Sequence, residues 1–153
     1  MKTKKEWPDF DNDGNLPAGI HQATLQEVID YFSERSSQRR TVARLLERIY
    51  SLLLQTGEVA RFIIFGSFVT NKLEPQDVDI FLVMHDTFDA RNVGGEASVL
   101  FDHMAAQNYE GASIFWVRSM VALGGEDAAI EHWQITRDGK RRGIVEVVQD
   151  DTQ

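Results

Sequence analysis

Apolar residues recur along the chain in two patterns, one typical of amphipathic helices and one typical of buried strands. Residues 24–33 and 37–55 carry apolar side chains three or four positions apart, which predicts two helices. Three short runs rich in β-branched and aromatic residues, at 61–65, 78–84 and 112–117, predict buried strands. The pattern therefore favours a mixed α/β (α+β) fold with helices against a sheet.

Local signals mark the ends of both long helices. Thr24 stands where an N-cap is needed and Glu27 follows three positions later, which is the spacing of a capping box. Gly57 follows the second helix and predicts its end. Further helices are expected at 97–107 and, over a shorter span, at 127–131.

The two ends of the chain depart from these patterns. Residues 1–22 are dense in Pro, Gly, Asn and Asp with interspersed aromatics, so we expect an irregular N-terminal arm packed on the domain. Residues 133–136 and 144–148 flank the Asp-Gly pair at 138–139, which predicts a tight turn between two closing antiparallel strands. The 153 residues, 1–153, are expected to form a single domain.

Charge and composition restrict the classes of function. A net charge of −8 disfavours free nucleic acid as a partner, because such binding needs clustered Lys and Arg. Two basic clusters, at 39–40 and 140–142, are interpreted mainly as solvated surface, with contact to a phosphate as the alternative. The absence of cysteine excludes thiolate zinc sites and cysteine nucleophiles. No apolar run approaches the roughly 18 residues of a membrane span, so we expect a cytoplasmic protein with no membrane partner.

Polar residues suited to phosphate and metal occur where two predicted strands end and begin. Gly66 and Ser67 follow the first strand, and Asp77 and Asp79 open the second after nine intervening residues. A glycine lets the backbone approach a triphosphate closely, and a serine offers its hydroxyl and N–H to phosphate oxygens. A Gly-Ser turn alone is commonly structural, and so is an isolated Asp-x-Asp. Their joint occurrence favours a functional site.

The two acids have the arrangement of metal ligands. Side chains alternate along a strand, so Asp77 and Asp79 project from one face, about 6 to 7 Å apart along the backbone. Carboxylate oxygens suit Mg²⁺ or Mn²⁺. Two acids that share a face repel each other without a cation. A divalent metal is therefore the expected cofactor.

The stretch from Phe65 to Val83 resembles the signature of the polymerase-beta-like nucleotidyltransferases. That signature reads hydrophobic-Gly-Ser, a nine-residue gap, then Asp-hydrophobic-Asp-hydrophobic. In wider outline, including the Leu-Pro-x-Gly-Ile-His segment at 16–21 and the late Arg-Asp-Gly turn, the chain is similar to a small bacterial branch of that superfamily. The resemblance implies the nucleotidyltransferase fold, a mixed sheet flanked by helices.

The resemblance also implies roles for individual residues. Gly66 and Ser67 would hold a nucleoside triphosphate, and Asp77 and Asp79 would bind divalent metal. Lys72, in the intervening loop, would neutralise phosphate charge. A protein with these roles would be a magnesium-dependent transferase with a nucleotide-binding site, for example an ATP-binding one.

The chain departs from the superfamily at the third carboxylate, which usually lies on the following strand. Ser113 stands in that position, so Glu110 at the strand mouth and Glu146 on the last strand are the candidate replacements. Glu110 is retained as a candidate catalytic residue. If neither acid substitutes, the general base is missing, although nucleotide and metal binding would survive.

These observations favour a metal-dependent nucleotidyltransferase that moves a nucleoside monophosphate from a triphosphate to a hydroxyl. The small size and negative charge favour a protein or small-molecule acceptor over nucleic acid. The alternative is a noncatalytic nucleotide-binding protein or a toxin–antitoxin-type protein that binds a partner on the same fold. A partner protein or a homo-oligomer is compatible with each function.

Three weaker signals have ordinary structural explanations. The acidic segment at 9–14 begins like a calcium loop, but Ile20 occupies the position of the bidentate Glu, so a polar turn is expected. His85 directly follows the acidic strand and is a candidate to line the site. Trp116, Trp133 and Tyr109 are candidates to stack a nucleobase, although such aromatics more often belong to a core.

Overall fold

Five strands form one mixed sheet in the computed structural model, which describes residues 5–101, 111–122 and 124–149. The strands are β1 (Ile20–Ala23), β2 (Val59–Phe65), β3 (Val78–Met84), β4 (Ala112–Arg118) and β5 (Ile144–Val147). Their spatial order is β1-β5-β2-β3-β4. β5 pairs parallel to β1 and antiparallel to β2, while β3 pairs antiparallel to β2 and parallel to β4.

The described residues include three α-helices: α1 (Leu25–Phe32), α2 (Ser37–Leu54) and α3 (Glu126–Glu131). The capping box of α1 is confirmed, because the Thr24 hydroxyl accepts the Glu27 N–H at 3.2 Å and the Glu27 carboxylate accepts the Thr24 N–H at 2.8 Å. None of the described helices is long and apolar enough to cross a membrane.

Both faces of the sheet are covered. On one face, Ile80 and Leu82 of β3 join the core formed with α1 and α2. On the other, Phe81 and Val83 pack with residues of α3 and of the turn that follows it. Since side chains alternate along β3, the face that carries Phe81 also carries Asp79. The expected mixed α+β class with helices on a sheet is confirmed.

The predicted pair of closing antiparallel strands is wrong. All four residues of β5 are buried, and β5 is inserted between β1 and β2. Residues 132–134 form a 3-10 turn, and only an isolated bridge joins Ile135 to Arg141. The tight turn itself is confirmed, since Gly139 has a φ of +82° and donates its N–H to the carbonyl of Thr136 at 3.0 Å.

The N-terminal arm packs on the domain but becomes regular earlier than expected. Trp7 stacks on Tyr31 with ring centroids 5.0 Å apart, and Phe10 lies edge-on to Phe32. Residues 20–23 form β1, so the expectation of irregular structure through residue 22 is wrong. The backbone of β5 pairs with residues 20–23 and thereby orders this segment.

The segment between β3 and β4 differs from the predicted helix at 97–107. Gly95–Phe101 forms a 3-10 helix, and residues 102–107 lie outside the described residues, as does Tyr109. The other predicted elements are found within one or two residues of their expected ends.

Candidate functional site

The turn after β2 and the first part of β3 place Gly66 against Asp79. Phe65 pairs with Asp79 across the antiparallel strands. Gly66 has φ +81° and ψ −165°, a conformation that side chains rarely adopt. A Cβ added at Gly66 would overlap Oδ2 of Asp79. Only glycine therefore allows this carboxylate to lie directly on the turn.

Asp79 is a half-buried acid in a charged environment. Burial, together with the charge of Asp77, raises its pKa to about 6, while Arg142 and Arg137 act in the opposite direction. No hydrogen bond reaches its carboxylate from the residues that the structure describes. Two neighbouring acids without a proton donor form an arrangement that a cation would stabilise.

Ser67 begins a short 3-10 turn, Ser67–Val69, directly after Gly66. Its carbonyl accepts the N–H of Thr70 at 3.2 Å and the hydroxyl of Thr70 at 2.7 Å, which closes the turn. The side chain is half-buried. Its hydroxyl makes no hydrogen bond within the described part of the chain and is therefore available to a ligand.

A buried arginine holds the loop that follows this turn. The Arg39 guanidinium donates to the carbonyls of Phe68 at 2.8 Å, Thr70 at 2.6 Å and Lys72 at 2.6 and 2.9 Å. It also donates to the carbonyl of Phe32, the last residue of α1, at 2.9 Å. Burial lowers its pKa to about 10, so it stays charged at neutral pH. The interpretation of the basic cluster at 39–40 as solvated surface is wrong for this residue.

The N-terminal arm holds the same loop from the other side. Asn15 forms a β-bridge with Thr70, and the N–H of Asn71 donates to the carbonyl of Gly14 at 2.9 Å. The Asp11 carboxylate accepts two backbone N–H groups of its own turn, at 2.8 and 3.0 Å. The calcium-like segment thus forms the expected polar turn, and the loop beside Ser67 is fixed on two sides.

Ser113 lies next to Asp79, because the two residues are paired in the parallel register of β3 and β4. Glu146 is not the missing acid: its carboxylate binds Arg61 through two hydrogen bonds of 2.7 and 2.8 Å. Glu110 lies outside the described residues. Over the described ranges, no three His, Asp or Glu side chains are grouped as metal ligands.

The remaining polar candidates are not assembled with the carboxylates. Lys72 is exposed, and its amino group has no hydrogen bond or salt bridge within residues 5–101, 111–122 and 124–149. Its contribution to the loop is the backbone carbonyl that Arg39 binds. His85 follows the last residue of β3, at the end opposite Asp79, where its N–H donates to Glu58. The interpretation of His85 as a site residue is therefore wrong.

Both tryptophans belong to core contacts. Trp116 lies edge-on to Phe88 and donates its indole N–H to the carbonyl of Phe101 at 3.3 Å. Trp133 packs on Phe65 and Phe81 with centroid separations of 4.5 and 5.2 Å. Trp133 therefore covers the sheet next to the carboxylates, as part of the packed face.

Two arginines near the carboxylates were not predicted as site residues. Arg137 belongs to the late turn, and Arg142 to the cluster at 140–142 that was interpreted mainly as solvated surface. Both influence Asp79 electrostatically, and Arg142 is half-buried. The basic cluster was a visible signal, but only the insertion of β5 beside β2 brings it to the site.

The chain belongs to the DUF6932 family, a family of unknown function, whose sequence pattern matches residues 8–148. No curated protein and no solved structure matches the chain. The matched range includes Arg39, Gly66, both carboxylates and Arg142, so the candidate site lies within the part of the chain that defines membership.

Proposed function

We propose that this member of the DUF6932 family is a metal-dependent nucleotidyltransferase with the nucleotidyltransferase fold. It moves a nucleoside monophosphate from a nucleoside triphosphate to a hydroxyl acceptor. The acceptor oxygen forms a bond to the α-phosphorus while the bond from that phosphorus to the bridging oxygen breaks. Pyrophosphate leaves, and the acceptor proton passes to a base or to water.

The observation that carries this proposal is the contact between the Asp79 carboxylate and Gly66, beside Asp77. Asp79 is a half-buried acid with a raised pKa and no hydrogen-bond donor among the described residues, which costs stability and is typical of a functional site. The turn also requires glycine at residue 66, because a residue with a Cβ would be strained there and would overlap the carboxylate. Both features are accounted for if a cation and a phosphate bind where they meet.

The side chains present fit a divalent metal. Asp77 and Asp79 would hold Mg²⁺ or Mn²⁺, whose other ligands are commonly water and substrate phosphate. When bound, such an ion neutralises negative charge on the phosphate oxygens during transfer. Ser67 offers its hydroxyl to the phosphate chain, and the loop held by Arg39 keeps that hydroxyl in place. Such preorganisation lowers the cost of binding.

The charge of the chain bears on the acceptor. A net charge of −8 disfavours binding of a polynucleotide, which is strongest to a surface of clustered Lys and Arg. The acceptor hydroxyl is therefore that of a protein side chain or of a small molecule.

The test is calorimetric titration of the protein with nucleoside triphosphates in Mg²⁺, together with a pyrophosphate-release assay. The double variant Asp77→Asn with Asp79→Asn should lose metal-dependent binding and release while remaining folded. The matched control, Asp9→Asn with Asp13→Asn, changes two exposed acids of the arm and the net charge equally. Unchanged metal-dependent binding in the site variant would eliminate the proposed site.

The pairing of Ser113 with Asp79 favours a second candidate, a noncatalytic nucleotide-binding protein. A serine cannot serve as the third carboxylate, so such a protein would bind Mg²⁺ and nucleotide without transfer. It could report nucleotide levels to a partner protein, as in a toxin–antitoxin pair. Metal-dependent binding without pyrophosphate release, across all four common triphosphates, would select this candidate over the enzyme.

A further inference from the structure

Arg142 has a fixed backbone immediately before β5. Its N–H donates to the carbonyl of Gln134 at 2.8 Å, and the next N–H, that of Gly143, donates to the carbonyl of Leu16 at 2.8 Å. A Cβ added at Gly143 would overlap the Pro17 carbonyl, so the arm packs tightly here. The starting point of the Arg142 side chain is therefore determined by the fold.

The sheet directs Arg142 towards the carboxylates. β5 runs antiparallel to β2, so residues just before β5 lie beside the turn that follows β2. The side chain of Ile144 packs on the same face as Phe81. Because side chains alternate along strands, Ile144 and Asp79 extend from that shared face. Arg142 lies two residues before Ile144, and its charge acts on Asp79.

Arg142 and Arg137 influence Asp79 without contacting it. Both arginines lower the pKa of Asp79, although burial and Asp77 raise it more strongly. No salt bridge joins either arginine to Asp79 among the described residues. Neither arginine therefore neutralises Asp79 through a direct ion pair.

The Nε–H of Arg142 is buried and has no hydrogen-bond acceptor among the residues that the structure describes. By contrast, the buried Arg39 donates to four carbonyls, and Arg61 donates to two carboxylates. Buried polar groups in folded proteins are nearly always hydrogen-bonded, so an orphaned donor indicates a missing partner. Next to a site for a cation and a nucleotide, that partner is an anion.

We infer that Arg142, assisted by Arg137, binds the phosphate chain of a nucleoside triphosphate and acts as the anion-binding half of the site. The guanidinium presents its N–H groups in a planar fork that matches phosphate oxygens. The inference rests on the proposed function and assigns the substrate class to these residues. A ligand without a phosphate chain would leave Nε of Arg142 without an acceptor.

The test uses inorganic tripolyphosphate as a probe that has no base or ribose. In the Asp77→Asn, Asp79→Asn background and without added metal, binding of the probe should still depend on Arg142. There, Arg142→Gln should weaken binding about ten- to hundredfold, the loss of one or two charge-assisted hydrogen bonds. Arg141→Gln is the matched control, because Arg141 is the exposed neighbour and its only described salt bridge is a 3.8 Å contact with Glu131. It should change affinity by less than about threefold.

A purely structural role for Arg142 predicts a different result. Since Nε has no partner in the protein, Arg142→Gln should leave the urea midpoint of the ligand-free protein unchanged or higher. Arg142→Lys keeps the charge and loses the fork, so its affinity should fall between those of Arg142→Gln and the parent protein. A lower midpoint together with unchanged tripolyphosphate affinity would establish the structural role and overturn the inference.

Failure of this inference differs from failure of the proposed function. If Arg142→Gln binds tripolyphosphate as tightly as Arg141→Gln, or if no form binds it at millimolar concentration, Arg142 is not the phosphate ligand. The proposed function would survive that result if the aspartate double variant still lost metal-dependent nucleotide binding. If Arg142→Gln weakens binding but the double variant still releases pyrophosphate, the anion site stands and the proposed metal site fails.

Discussion

Gly66 lies so close to Asp79 that any side chain at residue 66 would overlap the Asp79 carboxylate. The backbone conformation of Gly66 and the half-buried position of Asp79 both make this approach possible. The glycine therefore controls where the carboxylate lies, and a change at residue 66 should act on the acid.

Replacing Gly66 with Ala should destabilise the protein by about 3 kcal/mol, from an unfavourable positive φ and from overlap with Asp79. It should also weaken metal-dependent nucleotide binding, because the carboxylate must move. Gly57→Ala is the matched control: Gly57 has a φ of +68° with nothing near its added Cβ. The control should cost about 1 kcal/mol. Urea denaturation compares them, and equal losses would show that the contact with Asp79 is unimportant.

Replacing Arg39 with Met should remove the common donor for four loop and helix carbonyls, at a cost of about 3 kcal/mol or more. Arg40, its exposed neighbour on α2, provides the control, and Arg40→Met should change stability by less than about 0.5 kcal/mol. Chemical denaturation measures both. Nucleotide binding measured well below the unfolding transition should also weaken in Arg39→Met, since the loop after Ser67 loses its support. Similar stabilities of the two variants would contradict the role assigned to Arg39.

The pKa of Asp79, raised to about 6, predicts how stability depends on pH. An unfolded aspartate has a pKa of about 3.9, so between these values the folded state binds the proton more strongly. The contribution of Asp79 to the free energy of unfolding therefore decreases as pH rises from about 4 to about 6, by at most about 3 kcal/mol. The loss is complete above about pH 7.

The Asp79→Asn variant isolates this effect from the other acids. At pH 7.5 it should be more stable than the parent protein, and near pH 4 the difference should disappear, because Asp79 is then protonated. Adding Mg²⁺ at pH 7.5 should stabilise the parent protein and leave Asp79→Asn unchanged. Thermal melts at both pH values measure the differences. A variant less stable than the parent at pH 7.5 without metal would refute the unfavourable ionisation of Asp79.

Replacing Ser113 with Asp should place a third carboxylate beside Asp79. Without metal at pH 7.5, repulsion among the acids should lower stability by about 1 to 3 kcal/mol. Mg²⁺ should restore the loss and bind more tightly than in the parent protein, because another oxygen ligand is present. Ser113→Asn has nearly the same size without the charge and is the control. If both variants respond equally to Mg²⁺, residue 113 does not face the metal site.

Local chemistry explains why most elements were predictable. The capping box at Thr24 and Glu27 depends on contacts three residues apart, which a short stretch of sequence specifies. The apolar runs of β2 and β3 likewise identify buried strands. The shared face of Asp77 and Asp79 stays a prediction from strand alternation, since Asp77 lies just before β3; the structure shows that the charge of Asp77 acts on Asp79.

The errors occurred where a contact joins distant parts of the chain. Residues 144–147 have the composition of a strand. Their position between β1 and β2 depends on the tertiary structure, which the residues of the strand itself do not specify. Arg39 has the sequence context of an exposed helical residue. Its burial depends on carbonyls about 30 residues later that need a donor. Sequence spacing cannot identify a replacement for the third carboxylate. Glu146 has the required charge, but in the structure it binds Arg61.

The amino-acid sequence alone predicted most of the helices and buried strands, the glycine-serine turn and the paired acids. Each of these features depends on neighbours within a few residues. The three-dimensional fold was needed to bring Arg142 to the carboxylates, to bury Arg39 under the loop and to pair Glu146 with Arg61. Those contacts form because leaving a buried backbone group or charge unpaired is costly, and the partners lie far away along the chain.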